Sequence, residues 1–435
     1  MKRPLALFAF CMIGLSMGPG AEARVYIDVT SQNVRKLNIA IPDFLRLLGP
    51  EDVHASLNRQ IYEVLAFDLR VSGYCNVQEK DTYIERSSNL AGLQDTNLED
   101  WRLIGTEMLV RGGLRLTSNM FEAEMRLIDI AQGDVVLSKS YRGSQAQVRW
   151  VAHLMANDIL GRLTGERGAF DYQLVFSRKT SPRTKEVYMM DSDGAGVVAL
   201  TRNGSINLFP AVSPDGARIA FTSYRHDNPD LYLMNFAKGT LVRILSHPGL
   251  NTTPAFFPDG RRLVVALTKD GNAELYEADL AGRLLRRLTN SLGEDISPSV
   301  SPDGGKVVFV SDRAGGLGLY ELNLDTLETR RVVSDMSYCT DPSFSPKGDR
   351  IVFSARQGGT FDIYSVQADG GGLLRHTFGE GRNEHPAVSP DGRLVAFDST
   401  RTGVRQIYLL NLKTGDVVRL SRSGNEESQP AWKKR

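Results

Sequence analysis

Cysteine is scarce in this 435-residue chain, with three in all. Cys11 lies in an apolar stretch near the start, which leaves Cys75 and Cys339 in what read as different domains. Such usage excludes a small framework stapled by disulfides, and a chain of this length buries enough apolar surface without crosslinks. Both thiols are expected to be packing residues. Net charge is nearly absent too: 52 basic residues stand against 51 acidic ones. That balance offers no electrostatic footprint for nucleic acid or for an anionic membrane surface. No permanent membrane span is expected either, because the apolar run Leu5 to Leu15 is too short to cross a bilayer.

Catalytic signatures are missing as well. The one Gly-x-Ser-x-Gly match is Gly14-Leu15-Ser16-Met17-Gly18, inside the N-terminal apolar stretch. No α/β-hydrolase domain, His-Glu-x-x-His, P-loop or cysteine-pair metal motif accompanies it. Asp191-Ser192-Asp193-Gly194 lacks the later ligands of a calcium loop and reads as a turn. His226, His247, His376 and His385 share no common repeat position, so they suggest no metal ring. Neither catalytic nor metal-binding residues are assigned.

The start of the chain has the pattern of a secretory signal peptide. Lys2 and Arg3 precede the apolar run, which ends near Ala21-Glu22-Ala23, a small-x-small site. Phe10 sits where a lipoprotein site before Cys11 would need a small residue. Residues 1–23 are expected to be removed, leaving a chain that begins at Arg24 with equal numbers of basic and acidic residues.

The dominant positive feature is a period. Tyr188, Tyr232, Tyr276, Tyr320, Tyr364 and Tyr408 stand 44 residues apart, and Pro210, Pro254, Pro298, Pro342, Pro386 and Pro430 keep the same interval. A period of about 40–50 residues built from short strands marks a β-propeller, one four-stranded blade per period. One unit reads as strands Pro210 to Ser213, Arg218 to Phe221, Leu231 to Met234 and Leu241 to Leu245. Its turn Ser213-Pro214-Asp215-Gly216 recurs at Phe257, Ser301, Ser345 and Ser389, always with the proline and glycine the backbone needs. Phe257 for serine and Lys347 for aspartate are departures. The chain ends on an inner strand at Gln429 to Arg435, while strands at Leu174 to Phe176, Val187 to Met190 and Val197 to Leu200 come one period early. One blade is therefore expected to combine both ends of the array, which removes open sheet edges.

Residues 24–165 lack this period and read as an α/β domain ahead of a propeller over 170–435. Asn38 to Ile41 and Phe121 to Leu127 are strands, and Gly133-Asp134 turns into Val135 to Leu137. Val53, Leu57, Ile61, Val64 and Leu65 share a helical face that ends by Gly73. Val148, Val151, Met155, Ile159 and Leu163 form a second stripe that stops at Gly165. The expected layout is a sheet with helices on one side. The fold class is thus an α+β N-terminal domain followed by an all-β six-bladed propeller with a split closing blade.

The run His153 to Asp158, the stretch Leu163-Thr164-Gly165-Glu166-Arg167-Gly168-Ala169-Phe170, the endings Leu200-Thr201 and Leu288-Thr289, and the Ser-Pro-Asp-Gly turns together resemble the TolB family. The likeness spans the whole mature chain, domain order included. It implies a monomeric, non-enzymatic periplasmic propeller of the Tol-Pal cell-envelope system, supporting outer-membrane integrity and envelope constriction during division. It further implies partners among envelope proteins: the lipoprotein Pal on the propeller, and TolA at the start of the mature chain.

The residues before each repeat proline lead into the innermost strand and are expected to ring one mouth of the channel. Candidates for the Pal site there are Asn207, Phe209, Leu250, Asn251, Thr253, Asp295, Ile296, Asp341, Asn383, His385 and Glu427. The competing reading has the asparagines capping their own loops. Carboxylates of Asp295, Asp341, Glu384 and Glu427 near the channel could hold Ca²⁺; no cofactor is otherwise expected. For TolA the candidates are Arg24, Val25, Tyr26, Ile27, Asp28 and Val29, an alternating segment able to add as a strand to a partner sheet. It reads equally well as an edge strand of its own domain. The alternative function is a propeller lyase or glycan-binding protein with a small-molecule site at the channel mouth.

Overall fold

The computed structural model describes residue 27 and residues 35–85, 92–336 and 338–435. The N-terminal domain contains β1 (Leu37–Ala40), β2 (Leu45–Leu48), α1 (Glu51–Val71), β3 (Cys75–Val77), α2 (Leu98–Leu103), β4 (Met108–Thr117), β5 (Met120–Asp129), β6 (Asp134–Ser144) and α3 (Val148–Thr164). The sheet order is β3-β1-β4-β5-β6, and β2 joins β4 beyond the end of β1. Both long helices stop where a left-handed residue is supplied, at Gly73 (φ 79°) and Gly165 (φ 77°).

Helices α1 and α3 pack on one sheet face, as the two apolar stripes require, but α2 corrects the one-sided layout. Its Trp101 covers the other face together with Leu109, Ile128 and Ile130. Strand β4 sends Met108 and Val110 to the first face and Leu109 to the second, so both faces need cover. Of the candidate segment Arg24 to Val29, only Ile27 lies among the described residues. Its N–H donates to the carbonyl of Leu163 at 3.0 Å, and its side chain is buried in the core shared by the two domains.

The propeller has six four-stranded sheets. Blade 1 follows the sequence reading, with β10 (Asn207–Val212), β11 (Arg218–His226), β12 (Asn228–Asn235) and β13 (Thr240–Leu245). Blades 2 to 5 begin at Asn251, Asp295, Cys339 and Asn383. The closing blade pairs the C-terminal strand Glu427–Lys434 with β7 (Tyr172–Ser181), then β8 (Thr184–Asp191) and β9 (Val198–Ala199). The split blade is therefore present.

The repeated residues explain why one sequence unit makes one blade. Each periodic tyrosine pairs across strands with the residue at the centre of the preceding strand, a phenylalanine in five blades and Val265 in blade 2. The five Phe–Tyr ring pairs have centroids 5.8–6.1 Å apart. In the Leu-Thr endings, Thr201 and Thr289 accept from the N–H groups of Val187 and Leu275 and donate to Glu186 and Glu274. The two turn departures are absorbed locally: Asp349 takes the hydroxyl of Ser345 that an aspartate at 347 would hold, and Arg262 stacks 4.2 Å over Phe257.

Cys75 and Cys339 are both buried and unpaired, and burial pushes each thiol up to about 12. They fill space, as expected.

Candidate partner-binding mouth of the propeller channel

Every inner strand breaks its ladder at the same place. The register shifts between Leu208 and Ala211, Thr252 and Ala255, Ile296 and Ser299, Thr340 and Ser343, Glu384 and Ala387, and Ser428 and Ala431. A proline stands in each break, where its missing N–H costs no ladder bond. The residue before it adopts a left-handed backbone in all six blades: Phe209, Thr253, Ser297, Asp341, His385 and Gln429 have φ between 45° and 60°. A non-glycine residue in that region is strained by about 1–3 kcal/mol, and proline restricts its predecessor further. These six residues and their prolines enclose a cavity of about 130 Å³ at one end of the channel.

The ring is chemically lopsided. Ser297 N–H donates to Thr253 Oγ1 at 3.3 Å on the small-residue side. Opposite, Phe209 N–H donates to Gln429 Oε1 at 2.9 Å, and the Phe209 ring lies 6.4 Å from that of His385. His385 Nδ1 meets Asp398 Oδ2 at 2.7 Å, and its Nε2 is 3.9 Å from Asp341. Asp398 also accepts from the Gln429 N–H at 3.0 Å and pairs with Arg405, which reaches Glu384 at 2.6 Å. Burial alone would lower the pKa of His385, but Asp341, Asp398 and Glu384 outweigh it and push it up to about 9. Burial likewise opposes ionisation of Asp398, yet His385 and Arg405 hold its carboxyl below the usual range.

Of the sequence candidates, Phe209, Thr253, Asp341 and His385 line this cavity, and Ser297 and Gln429 complete it. Five others belong inside the blades, a correction to the expected ring. Asn207, Asn251, Asp295, Asn383 and Glu427 are all fully buried. Asn251 Nδ2 donates to the carbonyls of His247 and Pro229, and Asn207 Nδ2 to that of Lys185. Asn383 donates to Asp362, Asp295 is bound by Arg313 at 2.7 Å, and Glu427 by Arg178 at 2.6 Å. Two residues before the left-handed position, these side chains point into the blade, where run-in loops leave carbonyls that need donors. Leu250 is partly exposed beside the mouth, and Ile296 packs half-buried against the core of blade 3. The four carboxylates considered for Ca²⁺ are not gathered: Asp295, Glu384 and Glu427 each serve an arginine, and Asp341 faces His385.

The N-terminal domain sits on the opposite face, that of the Ser-Pro-Asp-Gly turns. Asn411, at the end of a third strand, donates to the carbonyls of Val71 and Ser72 at 2.9 and 3.1 Å. Arg393, just past the blade 5 turn, binds Glu166 at 2.8 Å, and Arg149 of α3 binds Asp193 in the turn after β8. None of the described residues of that domain lines the mouth cavity. Among the described residues no helix is long and apolar enough to cross a membrane.

The chain is thus a closed six-bladed propeller carrying an α/β domain on the face opposite its channel mouth. A family model described as the TolB beta propeller domain matches residues 160–338 and 319–435, and one described as the TolB amino-terminal domain matches residues 25–136. The chain belongs to the TolB family. It is 35% identical over 209 residues to the Tol-Pal system protein TolB of Desulfosudis oleivorans, covering 48% of this chain and 47% of that one. With the Tol-Pal system protein TolB of Geobacter sulfurreducens it is 38% identical over 213 residues, covering 49% and 48%. The match spans about half the length of these curated relatives. The crystal structure of TolB from Acinetobacter baumannii superposes with a TM-score of 0.81 over 94% of this chain and 100% of that one, at 23% identity, and shows the same fold.

Proposed function

We propose that this chain is a periplasmic adaptor of the Tol-Pal system that acts by binding rather than catalysis. It holds Pal at the propeller mouth and TolA through the start of the mature chain, and so supports outer-membrane integrity and envelope constriction during division. The observation that carries the reading is the strained ring: six non-glycine residues are kept at positive φ around one cavity, on the face opposite the described contacts of the N-terminal domain. Strain repeated six times at an accessible mouth fits a surface preorganised for a partner. The names of the relatives, all Tol-Pal system proteins, point to envelope partners.

Calorimetric titration of Thr253→Arg against purified Pal tests it. An arginine buried at the interface without a counter-charge costs roughly 2–5 kcal/mol, a large part of the roughly 8 kcal/mol of a micromolar complex. Wild-type affinity in a variant with unchanged circular dichroism would place the Pal site elsewhere.

A further inference from the structure

Helices α1 and α3 join the propeller through one apolar core, which takes in Leu174 and Met190 of the closing blade and Leu394 and Leu409 of blade 5. A cluster of charged groups interrupts that seam where the two helices meet the end of β8. Asp191 accepts from Arg435 and from Gln173, both at 3.1 Å. Asp193 is held by Arg149 of α3 and accepts from Ala195 N–H at 3.1 Å. Glu63, exposed on α1, lies 4.0 Å from the same arginine. The third carboxylate inside the seam is Asp68 of α1, fully buried, and its partner is His153 of α3, Nδ1 to Oδ2 at 2.7 Å. Asp68 Oδ1 and His153 Nε2 are buried as well, and among the described residues neither has a hydrogen-bond partner.

The cations are not alike. Asp191 and Asp193 each have an arginine, which keeps its charge at any accessible pH. Asp68 has only an imidazole, the side chain whose charge changes near neutrality. With His153 protonated, three carboxylates meet three cations. Without that proton a buried carboxylate stands unbalanced beside Asp193, and an uncompensated buried charge is strongly destabilising. The pair also adjoins both ends of the docking contact. Asp68 stands one turn before Ser72, whose carbonyl Asn411 binds, and His153 one turn after Arg149.

We propose that Asp68 and His153 form a proton-operated latch between the two domains: the proton they hold balances the seam and keeps it closed, and its loss lets the domains part. The electrostatics have the matching sign. Burial alone would lower the pKa of His153, but Asp68, Asp193 and Asp191 outweigh it and hold it above its ordinary value. Burial pushes Asp68 up to about 6, against the pull of His153. The contribution of His153 is therefore fully present below about pH 6.5 and lost as pH rises through its raised value. That of Asp68 is present below about pH 3.9 and lost through about 6, so both favour the closed seam in acid.

The test uses the mature chain with donor and acceptor dyes on Ser56→Cys of α1 and Ala237→Cys of the blade 1 turn, both exposed positions. Cys75 and Cys339 are buried and do not compete for dye. Single-molecule energy transfer should show the separated fraction rising about tenfold between pH 6.5 and 9.5, within the limit of tenfold per pH unit for one linked proton, and reversing on return. Asp68→Asn, which needs no counter-charge, should stay closed throughout. His153→Gln should separate more often than the parent chain at pH 6.5, and adding Asp68→Asn should close it again. His385→Gln, at the channel mouth, should respond as the parent does. A distance independent of pH, a response that survives Asp68→Asn or vanishes in His385→Gln, or a His153→Gln defect that Asp68→Asn does not relieve would each overturn the proposal.

Discussion

The imidazole of His385 and the carboxylate of Asp398 meet at 2.7 Å, joining the inner strand of blade 5 to the strand behind it. The same carboxylate accepts the backbone N–H of Gln429, so the pair also links blade 5 to the closing blade.

This link is pH-dependent, with a definite sign. The pKa of His385 stands at about 9 in the folded chain, above its ordinary value near 6.5. Its contribution to stability is fully present below about pH 6.5 and disappears as pH rises through about 9. Thermal melts from pH 6 to 10 should lose on the order of 1–3 kcal/mol of stability across that window, a loss absent from His385→Gln. Parallel curves for the two proteins would exclude His385 as the source.

Deleting Gln429 to Arg435 removes the inner strand of the closing blade and with it the partner of β7. The propeller should then melt at least about 10 °C lower. Gly216→Ala probes the same seam without truncation, because a Cβ there would strike the Lys434 carbonyl and φ is 74°. An unaltered melt for the truncated chain would contradict closure by shared strands.

Asn411 satisfies two carbonyls at the end of α1 from the propeller side. Asn411→Leu leaves both buried and unpaired, at a cost of about 1–3 kcal/mol each. Calorimetry should show the N-terminal domain separating from the propeller transition, and protease should cut sooner between residues 165 and 172. A single unshifted transition would show that the apolar contacts alone dock the domains.

Removing residues 24–30 tests the proposed TolA segment. Loss of TolA binding with Pal binding retained or strengthened is expected, since coupling between two sites is reciprocal. The deletion also takes away Ile27, whose N–H reaches Leu163, so the melt must be followed in parallel. TolA binding that survives in a stably folded deletion would refute the assignment.

The 44-residue interval made the propeller legible because each blade repeats its own contacts: tyrosine against the neighbouring strand, threonine hooked to an acid, glycine at the turn. The direction of the mouth side chains was not legible. Asn207, Asn251, Asp295 and Asn383, with Cys339 and Glu427 at the same repeat position, are all fully buried, a shared structural duty inside the blade. Phe209, Thr253, Ser297, Asp341, His385 and Gln429 differ at every blade, which is the mark of positions facing outward. The left-handed backbone that turns them into the channel leaves no trace in composition, because none of the six is glycine or asparagine. Helix α2 escaped notice because six residues carry too little periodicity.

Arg178 and Glu427, joined at 2.6 Å, are 249 residues apart in sequence. A ribosome makes β7 early and its partner strand among the last residues of the propeller. Until that strand emerges, β7 waits with one side unpaired, an invitation to any other extended chain in reach. The ring therefore acquires its final cooperativity only when its last strand has been made and delivered, and an interrupted synthesis leaves a product that is sticky rather than merely short.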